Sequence, residues 1–427
     1  MQKIFPLRGF QLLLIILIAG FGGYYLGTHS VSLSWKNFKP ITTVTSKAPP
    51  ATQNLDLSLL YNIVDRINQD YYDKTKLDSK KLLYGAINGM LQTLDDPYTS
   101  FFPPKQNTDF KTQLAGQFEG IGAELGLSSD NKILVVSPLD NNPAQKAGIR
   151  SGDIVVKVNG ESTSGWTVAQ AVDKIRGPKG SKVTLSVLHE KEKNTTDITI
   201  ERNVIVVKSV KAWVKKVECK DSSCLENQNG KSSVAYIRLS QFGDKTNDEW
   251  VEAINSVTKD IKNENNFKGV ILDLRNNPGG YLNDAVFIAS EFLKSGVVVM
   301  QEDGSGQRTS LSVSRPGSLT DYPLIVLINK GSASASEIVA GALHDYNRAK
   351  LLGEKSFGKG TIQQAVDVDS GASVHISVAK WLTPNGTWVH KQGIEPDIKV
   401  DLDQKSLQNK DNFDNQLQRA IQELTNK

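Results

Sequence analysis

The C-terminal half of the chain alternates short apolar runs with longer runs of helical period. Predicted strands cover residues 234–239, 270–274 and 324–328, and predicted helices cover 247–262, the residues from 281 to about 293, and the residues from 334 onwards. Strands that alternate with helices predict a sheet of parallel strands joined by crossover helices. In such sheets functional residues lie where strands end and helices begin, which here means 276–280 and Ser334.

The rest of the chain divides into shorter regions, and its 427 residues have room for two or three domains. A helical region is expected over 55–111, with helices at 55–72 and 78–94. Short strands and turns alternate from 112 to 202. The α/β core then covers 203–400, and a helical tail covers 401–427.

An N-terminal apolar segment predicts export. Residues 12–26 carry no charge, and Lys3 and Arg8 precede them. This pattern is typical of a signal peptide or of a signal anchor. Because no small-x-small cleavage site follows, we favour an uncleaved single-pass anchor over 1–28, with a flexible, Ser/Thr/Pro-rich linker over 29–54. The expected location is the cell membrane, with the bulk of the chain on its periplasmic or extracellular side.

Charge and cysteine content restrict the partners. The net charge of +4 is small for this length and predicts no nucleic-acid partner. The two cysteines, Cys219 and Cys224, stand in a polar stretch, where export favours a local disulfide over two free thiols. Two thiols without a nearby histidine make a poor zinc site, so no metal is expected.

Ser334 and Lys359 form the most informative pair in the chain, and they are 25 residues apart. A serine hydroxyl is a poor nucleophile until a base takes its proton. A lysine can be that base if its amine is neutral, which at pH 7 holds for only about one ordinary lysine in 10³ to 10⁴. Burial could lower the lysine pKa sufficiently. The alternative for Ser334 is an N-cap in a capping box with Glu337.

Three segments resemble the carboxy-terminal processing (tail-specific) proteases, which are Ser/Lys peptidases of family S41. They are Ser332–Glu337, Phe357–Thr361 and the loop over 272–280. The resemblance implies that Ser334 is the nucleophile, Lys359 the base and Gln363 the residue that orients Lys359. Backbone N–H groups of Ala335 and Gly280 would form the oxyanion hole, with Gly279 as the alternative to Gly280. No cofactor is needed, because water completes the reaction.

The region 112–202 resembles a PDZ domain. The residues that carry this resemblance are Gly120, Ile121, Gly122 and Ala123, with 147–153 and 158–160. In a PDZ domain such a loop presents backbone N–H groups to the terminal carboxylate of a peptide, which adds as a strand. The expected partners are therefore unfolded or flexible C-terminal tails of protein substrates. The segment Asp96–Thr99 matches a motif in the N-terminal region of the family.

The expected fold class is multidomain α/β: a membrane-anchor helix, a small helical region, a β-rich PDZ domain with flanking helices, and a protease core with a mixed or parallel sheet. The expected function is that of a membrane-tethered serine endopeptidase that cleaves C-terminal regions of extracytoplasmic proteins. The sequence leaves the oligomeric state open, a homo-oligomer included.

Two alternatives belong to other classes. One is a catalytically inactive PDZ scaffold, which would need neither Ser334 nor Lys359. The other is a Ser/His/Asp protease with a PDZ domain, which would need a histidine beside the nucleophile. The candidates for that role are His29, His189, His344, His375 and His390. The zinc-protease pattern His-Glu-x-x-His does not occur in the sequence.

Overall fold

A computed structural model describes residues 29–36, 39–46, 57–128, 130–139, 141–190, 192–220, 223–226, 230–403 and 414–426. The chain falls into two compact units, residues 1–82 and residues 83–427. The predicted membrane anchor over 1–28 lies outside the described residues. None of the described helices is long and apolar enough to cross a membrane.

The first unit contains a β-hairpin, a helix, a 3₁₀ turn and the start of a second helix. The hairpin pairs β1 (His29–Lys36) with β2 (Lys39–Ser46) in antiparallel register, and α1 (Ser58–Asp70) follows it. A 3₁₀ turn at Lys74–Lys76 precedes α2 (Ser79–Gln92), which continues into the second unit.

The hairpin lies where the sequence composition predicts a flexible linker. From Ser30 to Trp35 serine alternates with apolar residues, and threonine, valine and isoleucine dominate the return strand. This period of two and the β-branched content favour strands. The prediction of a flexible linker used the overall composition of the segment and overlooked this pattern.

The second unit begins with a β-rich domain and the segments that lead into it. The leading segments are β3 (Ser100–Phe102), α3 (Pro104–Leu114) and β4 (Gln117–Gly120). The domain contains β5 (Ala123–Leu127), β6 (Ile133–Pro138), α4 (Pro143–Lys146), β7 (Ile154–Val158), β8 (Glu161–Ser162), α5 (Val168–Ile175), β9 (Lys182–Leu188) and β10 (Thr196–Glu201).

All strand pairs of the β-rich domain are antiparallel, in the order β10-β9-β7-β6-β5, with β8 paired to β7. β5 is therefore an edge strand. The domain has its own buried core, which includes Ile133, Val155 and Leu185. Helix α5 begins with a capping box in which Thr167 N–H donates to Gln170 Oε1 at 2.8 Å.

After the β-rich domain, β11 (Asn203–Val206) returns to pair with β4. The core that follows contains β12 (Val210–Lys220), β13 (Ser223–Glu226), β14 (Ser232–Leu239), α6 (Thr246–Ile261), β15 (Phe267–Asp273), α7 (Leu282–Ala289), β16 (Val297–Asp303), β17 (Arg308–Ser312), β18 (Leu324–Ile328), α8 (Ala335–Asp345), β19 (Lys350–Gly353), β20 (Thr361–Asp367), β21 (Ser373–Leu382), β22 (Ile398–Lys399) and α9 (Asn415–Thr425).

The main sheet of the core has the order β13-β12-β14-β15-β18-β19-β22. The strands from β14 to β22 pair in parallel, and β12 and β13 add antiparallel strands at one edge. The predicted strands at 234–239, 270–274 and 324–328 correspond to β14, β15 and β18. The fold is thus multidomain α/β with a mixed core sheet.

Helices cover both faces of this sheet. Along β15, Val270 and Leu272 contribute to the same buried cluster as α6, α7 and α8. Ile271, between them, belongs to a second cluster with Ile421 and Leu424 of α9. Because neighbouring strand residues point to opposite faces, α9 covers the face opposite α6–α8. Helix α8, which begins just after Ser334, is thereby fixed at the end of β18.

A second, antiparallel sheet lies in the core, with the order β17-β16-β21-β20. Its strand β21 also pairs with β3, which precedes the β-rich domain in sequence. Strand β20 begins two residues after Lys359. The sheet therefore joins the lysine segment to a piece of chain more than two hundred residues earlier.

Candidate active site

The loop after β15 is held in one conformation by the side chain of Asn277, which is fully buried. Asn277 Nδ2 donates to Leu239 O at 2.8 Å, and Asn277 Oδ1 accepts from Gly279 N at 2.9 Å. The Asn277 carbonyl accepts from Ala333 N at 3.0 Å. One residue therefore connects the end of β14, the glycine pair and the segment before Ser334.

Gly279 and Gly280 are required at their positions. Both have positive φ, 99° and 142°, which L side chains rarely adopt. A Cβ at Gly279 would lie 2.8 Å from Ser334 Cβ and 3.0 Å from Ala335 N. The glycine loop thus packs directly against the predicted nucleophile. In the described part of the chain, Gly280 N–H has no backbone acceptor.

Ser334 stands immediately before α8 in a strained conformation, with φ 56° and ψ −116°. Its neighbours Ser332 and Ser336 are fully buried, and their hydroxyls donate to Leu274 O at 2.8 Å and to Asn277 O at 2.9 Å. Ser334 is only half-buried, and within the described residues its hydroxyl donates to no acceptor. Of the three serines, Ser334 alone is available for chemistry.

Glu337 connects the two predicted catalytic segments. Sequence reasoning assigned Glu337 a capping role and missed this connection. Its side chain is fully buried and accepts four hydrogen bonds. One oxygen accepts from Ser334 N and Lys359 N, each at 2.9 Å. The other accepts from Ser356 Oγ and Gly358 N, each at 2.6 Å. The carboxylate therefore fixes the Ser334 and Lys359 backbones relative to each other.

Lys359 is half-buried, and burial lowers the pKa of its amine, while the negative charges of Asp96 and Glu337 act in the opposite direction. Its carbonyl accepts from Trp381 Nε1 at 2.8 Å. Its Nζ lies 5.2 Å from the centre of the Tyr98 ring. In the described structure no hydrogen bond joins Nζ to Ser334 Oγ, and such bonds are often long without substrate.

Gln363 makes no hydrogen bond to Lys359 in the described structure, although the resemblance implies that it orients that lysine. Gln363 Nε2 donates to Thr361 Oγ1 at 2.8 Å and to Ser377 Oγ at 3.1 Å. The register between β20 and β21 shifts between Ile362 and Gln363. The sequence spacing alone could not reveal this irregularity.

Family models match three parts of the chain. They describe peptidase family S41 over 233–400, a PDZ domain over 111–188, and the N-terminal domain of the activating protease CtpB over 17–105. Carboxy-terminal processing protease CtpA of Bacillus subtilis is 38% identical over 362 residues, which is 84% of this chain and 72% of that protein. The chain belongs to the carboxy-terminal processing protease family. It is a serine-type peptidase.

Two further proteins are similar to this chain. CtpB of Bacillus subtilis is 36% identical over 389 residues, which cover 90% of this chain and 75% of the relative. A crystal structure of a Bacteroides fragilis protein assigned to the S41 proteases matches with a TM-score of 0.57 and 16% identity. That match covers 85% of this chain and 97% of the solved one, and it supports the fold alone.

The histidines of this family member make no Ser/His pair in the described residues, because no ring nitrogen hydrogen-bonds to Ser334. His189 contacts Asp153 at 2.7 Å in the PDZ domain, and His344 contacts Asp397 at 3.2 Å. His375 packs against Phe102 and Phe110, and His390 stacks on Trp388. His29 belongs to β1, and its side chain lies outside the description.

The PDZ loop combines a fixed turn with an edge strand. Gly122 has φ +73°, and a Cβ there would lie 2.5 Å from Asn142 Cβ, so only glycine fits. Ile121 is buried in the PDZ core, and Gly120 pairs with Asn203 in the β4–β11 sheet. Ala123 begins the edge strand β5. An edge strand is the element to which a peptide strand adds in PDZ recognition.

Two structural links support the core around the site. A disulfide joins Cys219 to Cys224 across the β12–β13 hairpin. The buried Arg275 uses all five of its guanidinium N–H donors on Asp273, Asp414 and Gln416. Arg275 thereby ties the start of the glycine loop to α9.

No cluster of metal-ligating side chains occurs among the described residues.

Proposed function

We propose that this peptidase uses Ser334 as its nucleophile and Lys359 as its general base. The observation that carries the proposal is the Glu337 carboxylate, which holds the N–H groups of both residues at 2.9 Å. Two segments 25 residues apart are thereby fixed to one buried anchor. The packing of Gly279 against Ser334 supports the same assignment.

The proposed reaction needs no cofactor. The Ser334 O–H bond breaks as Oγ attacks the scissile carbonyl, and the proton moves to the neutral Lys359 amine. Lys359 then gives this proton to the leaving amine. The N–H groups of Gly280 and Ala335 stabilise the oxyanion, since a helix N-terminus leaves its first N–H groups free. Water then hydrolyses the acyl-enzyme by the same route.

We assign the substrates as flexible C-terminal tails of extracytoplasmic proteins, captured by the PDZ domain before cleavage. The curated relatives are carboxy-terminal processing proteases, which supports this substrate class. The glycine turn at 120–122 and the edge strand β5 support binding of an extended tail. The apolar segment over 12–26 supports a membrane tether that keeps the catalytic part outside the cytoplasm.

The test is cleavage of an unstructured polypeptide with a free C-terminal carboxylate by the full chain in detergent micelles, with products mapped by mass spectrometry. We expect cleavage within the tail by the wild type and by Ser312→Ala, an exposed serine on β17. Ser334→Ala and Lys359→Ala should be inactive while remaining folded. Cleavage by Ser334→Ala would contradict the nucleophile, and no cleavage by the wild type would favour the PDZ scaffold.

A further inference from the structure

The turn Asp96–Thr99 comes from the N-terminal region of the chain but lies against the peptidase core. Thr99 Oγ1 accepts a hydrogen bond from Ser377 N on β21 at 3.0 Å. The strand β3, which follows directly, pairs antiparallel with β21 so that Ser100 faces His375. The S41 family model begins only at residue 233. The turn therefore packs on the peptidase sheet although it lies outside the residues that the S41 family model matches.

The turn is ordered by its own hydrogen bonds. Asp96 Oδ1 accepts from Tyr98 N at 3.0 Å, and Asp96 Oδ2 accepts from Thr99 Oγ1 at 2.7 Å. Burial opposes ionisation of Asp96, but hydrogen bonds from Ser377, Thr99 and Tyr98 outweigh it and lower the pKa of the carboxyl. Asp96 therefore stays negative over the working pH range of a lysine base.

The Tyr98 ring forms part of an aromatic wall beside Lys359. Its centre lies 5.2 Å from Lys359 Nζ, within the range of a cation–π contact. His390 packs edge-on against Tyr98 at 5.9 Å and stacks on Trp388 at 4.9 Å. Of these rings, Tyr98 lies against the amine, and it limits the access of water from its side.

We propose that Asp96 and Tyr98 are positioning residues for Lys359, in which the Tyr98 ring shields the neutral amine and the Asp96 charge stabilises the ammonium that forms during catalysis. This inference rests on the proposed role of Lys359 as the base. When the Ser334 O–H bond breaks, a new N–H bond makes Nζ positive, and a fixed negative charge nearby lowers the energy of that state. Asp96 would thus share one role with the aspartate of a Ser/His/Asp triad, which is to stabilise the cation that forms, but it would do so through its charge and without a hydrogen bond to the base.

Other charged groups also lie around Lys359. The Glu337 carboxylate favours the ammonium too, but it accepts the four hydrogen bonds that hold the Ser334 and Lys359 segments, so a substitution there would disturb the site itself. His375, on β21, has its pKa lowered by burial and by the Lys359 charge. His390 packs against the Tyr98 ring. Asp96 and Tyr98 are therefore the groups that a substitution can change without dismantling the core.

The experiment measures kcat/KM against pH for the full chain and five variants. Asp96→Asn keeps the side-chain shape and removes the charge. Asp95→Asn removes the same charge one residue away, where the side chain is exposed and asparagine tolerates the positive φ of 49°. Tyr98→Ala removes the ring, and Tyr98→Phe keeps it. Lys359→Ala reports whether the base assignment itself holds.

We expect Asp96→Asn and Tyr98→Ala to shift the acid limb of the pH profile of kcat/KM in opposite directions. Losing the Asp96 charge disfavours the ammonium, so the limb of Asp96→Asn should move down by roughly half to one pH unit. Its plateau should fall about threefold to tenfold, because a weaker base takes the proton less readily. Removing the ring lets water solvate the ammonium, and we expect this gain to outweigh the cation–π attraction that is lost, so the limb of Tyr98→Ala should move up. Asp95→Asn should match the wild type, and the limb of Tyr98→Phe should not move up, because the ring remains.

The outcomes separate this inference from the proposed function. If Lys359→Ala is as active as the wild type, the base assignment fails and the inference fails with it. If Lys359→Ala is inactive but the limbs of Asp96→Asn and Tyr98→Ala coincide with that of the wild type, the inference alone is overturned. A shift of both limbs in the same direction would also contradict it. Thermal unfolding midpoints verify that each variant is folded.

Discussion

Glu337→Gln is the substitution that most sharply tests how the site is assembled. The change keeps the size of the side chain and replaces one acceptor oxygen by an NH₂ group. In the structure each carboxylate oxygen of Glu337 accepts two hydrogen bonds, and all four come from donors of the Ser334 and Lys359 segments. Whichever way the amide is oriented, its NH₂ group faces two of these donors.

The expected loss of stability follows from the hydrogen bonds that Glu337→Gln removes. A hydrogen bond to a charged acceptor contributes about 1.5–3 kcal/mol, and a buried donor left without a partner costs about 1–3 kcal/mol. Ser356 Oγ can rotate to accept from the new amide, which spares one of the two clashes. We therefore expect the free energy of unfolding to fall by about 2–5 kcal/mol. Since a misplacement of about 1 Å can cost 10²-fold in rate, kcat/KM should fall by about that factor.

The assay combines urea denaturation, followed by tryptophan fluorescence, with cleavage of an unstructured tail substrate. Glu395→Gln is the matched control, because in the described part of the chain that carboxylate forms exposed ion pairs with Lys355 and Lys399. The control should unfold at nearly the wild-type midpoint and keep full activity. An unfolding free energy for Glu337→Gln within about 1 kcal/mol of the wild type, with kcat/KM within about threefold, would refute this account of the site.

Two further outcomes are expected. Asp414→Asn removes one of the two carboxylates that face the buried Arg275. The free energy of unfolding should fall by about 1–3 kcal/mol in the same urea assay. An unchanged midpoint would show that α9 does not stabilise the glycine loop. Amidation of a substrate's C-terminus should weaken its binding by about 10- to 150-fold in fluorescence anisotropy with Ser334→Ala. Equal binding of the amidated and free-acid peptides would show that the 120–123 loop does not bind a terminal carboxylate.

Local sequence patterns predicted the parts of the fold that depend on local physics. The helical spacing over 247–262 corresponds to α6 (Thr246–Ile261), and the short apolar runs correspond to β14, β15 and β18. The Ser-x-x-Glu pattern located the start of α8 and the hydrogen bond from Ser334 N to Glu337. Short motifs also indicated the PDZ and S41 families, which the family models confirm.

The contacts that complete the site join residues far apart in sequence, and no local pattern contains that information. Tyr98 meets Lys359 only because β3 pairs with β21, and the motif at 96–99 gave no sign of that pairing. Glu337 satisfied a capping pattern fully, so its bonds to Ser356, Gly358 and Lys359 had no separate signal. The position of Gln363 depends on a register shift, which the sequence spacing cannot show.

The most direct test of the Ser/Lys assignment is covalent labelling of the full chain with a serine-reactive fluorophosphonate, in which the modified residue is mapped by mass spectrometry and the rate is followed against pH. We expect Ser334 to be the residue labelled, at a rate that rises with pH as Lys359 loses its proton. Because burial lowers the pKa of Lys359, this rise should begin below the range of an ordinary lysine. Lys359→Ala should abolish the labelling, and Lys359→Arg should not restore it, since arginine stays protonated. Labelling at another serine, or a rate for Lys359→Ala equal to that of the wild type, would contradict the Ser/Lys mechanism.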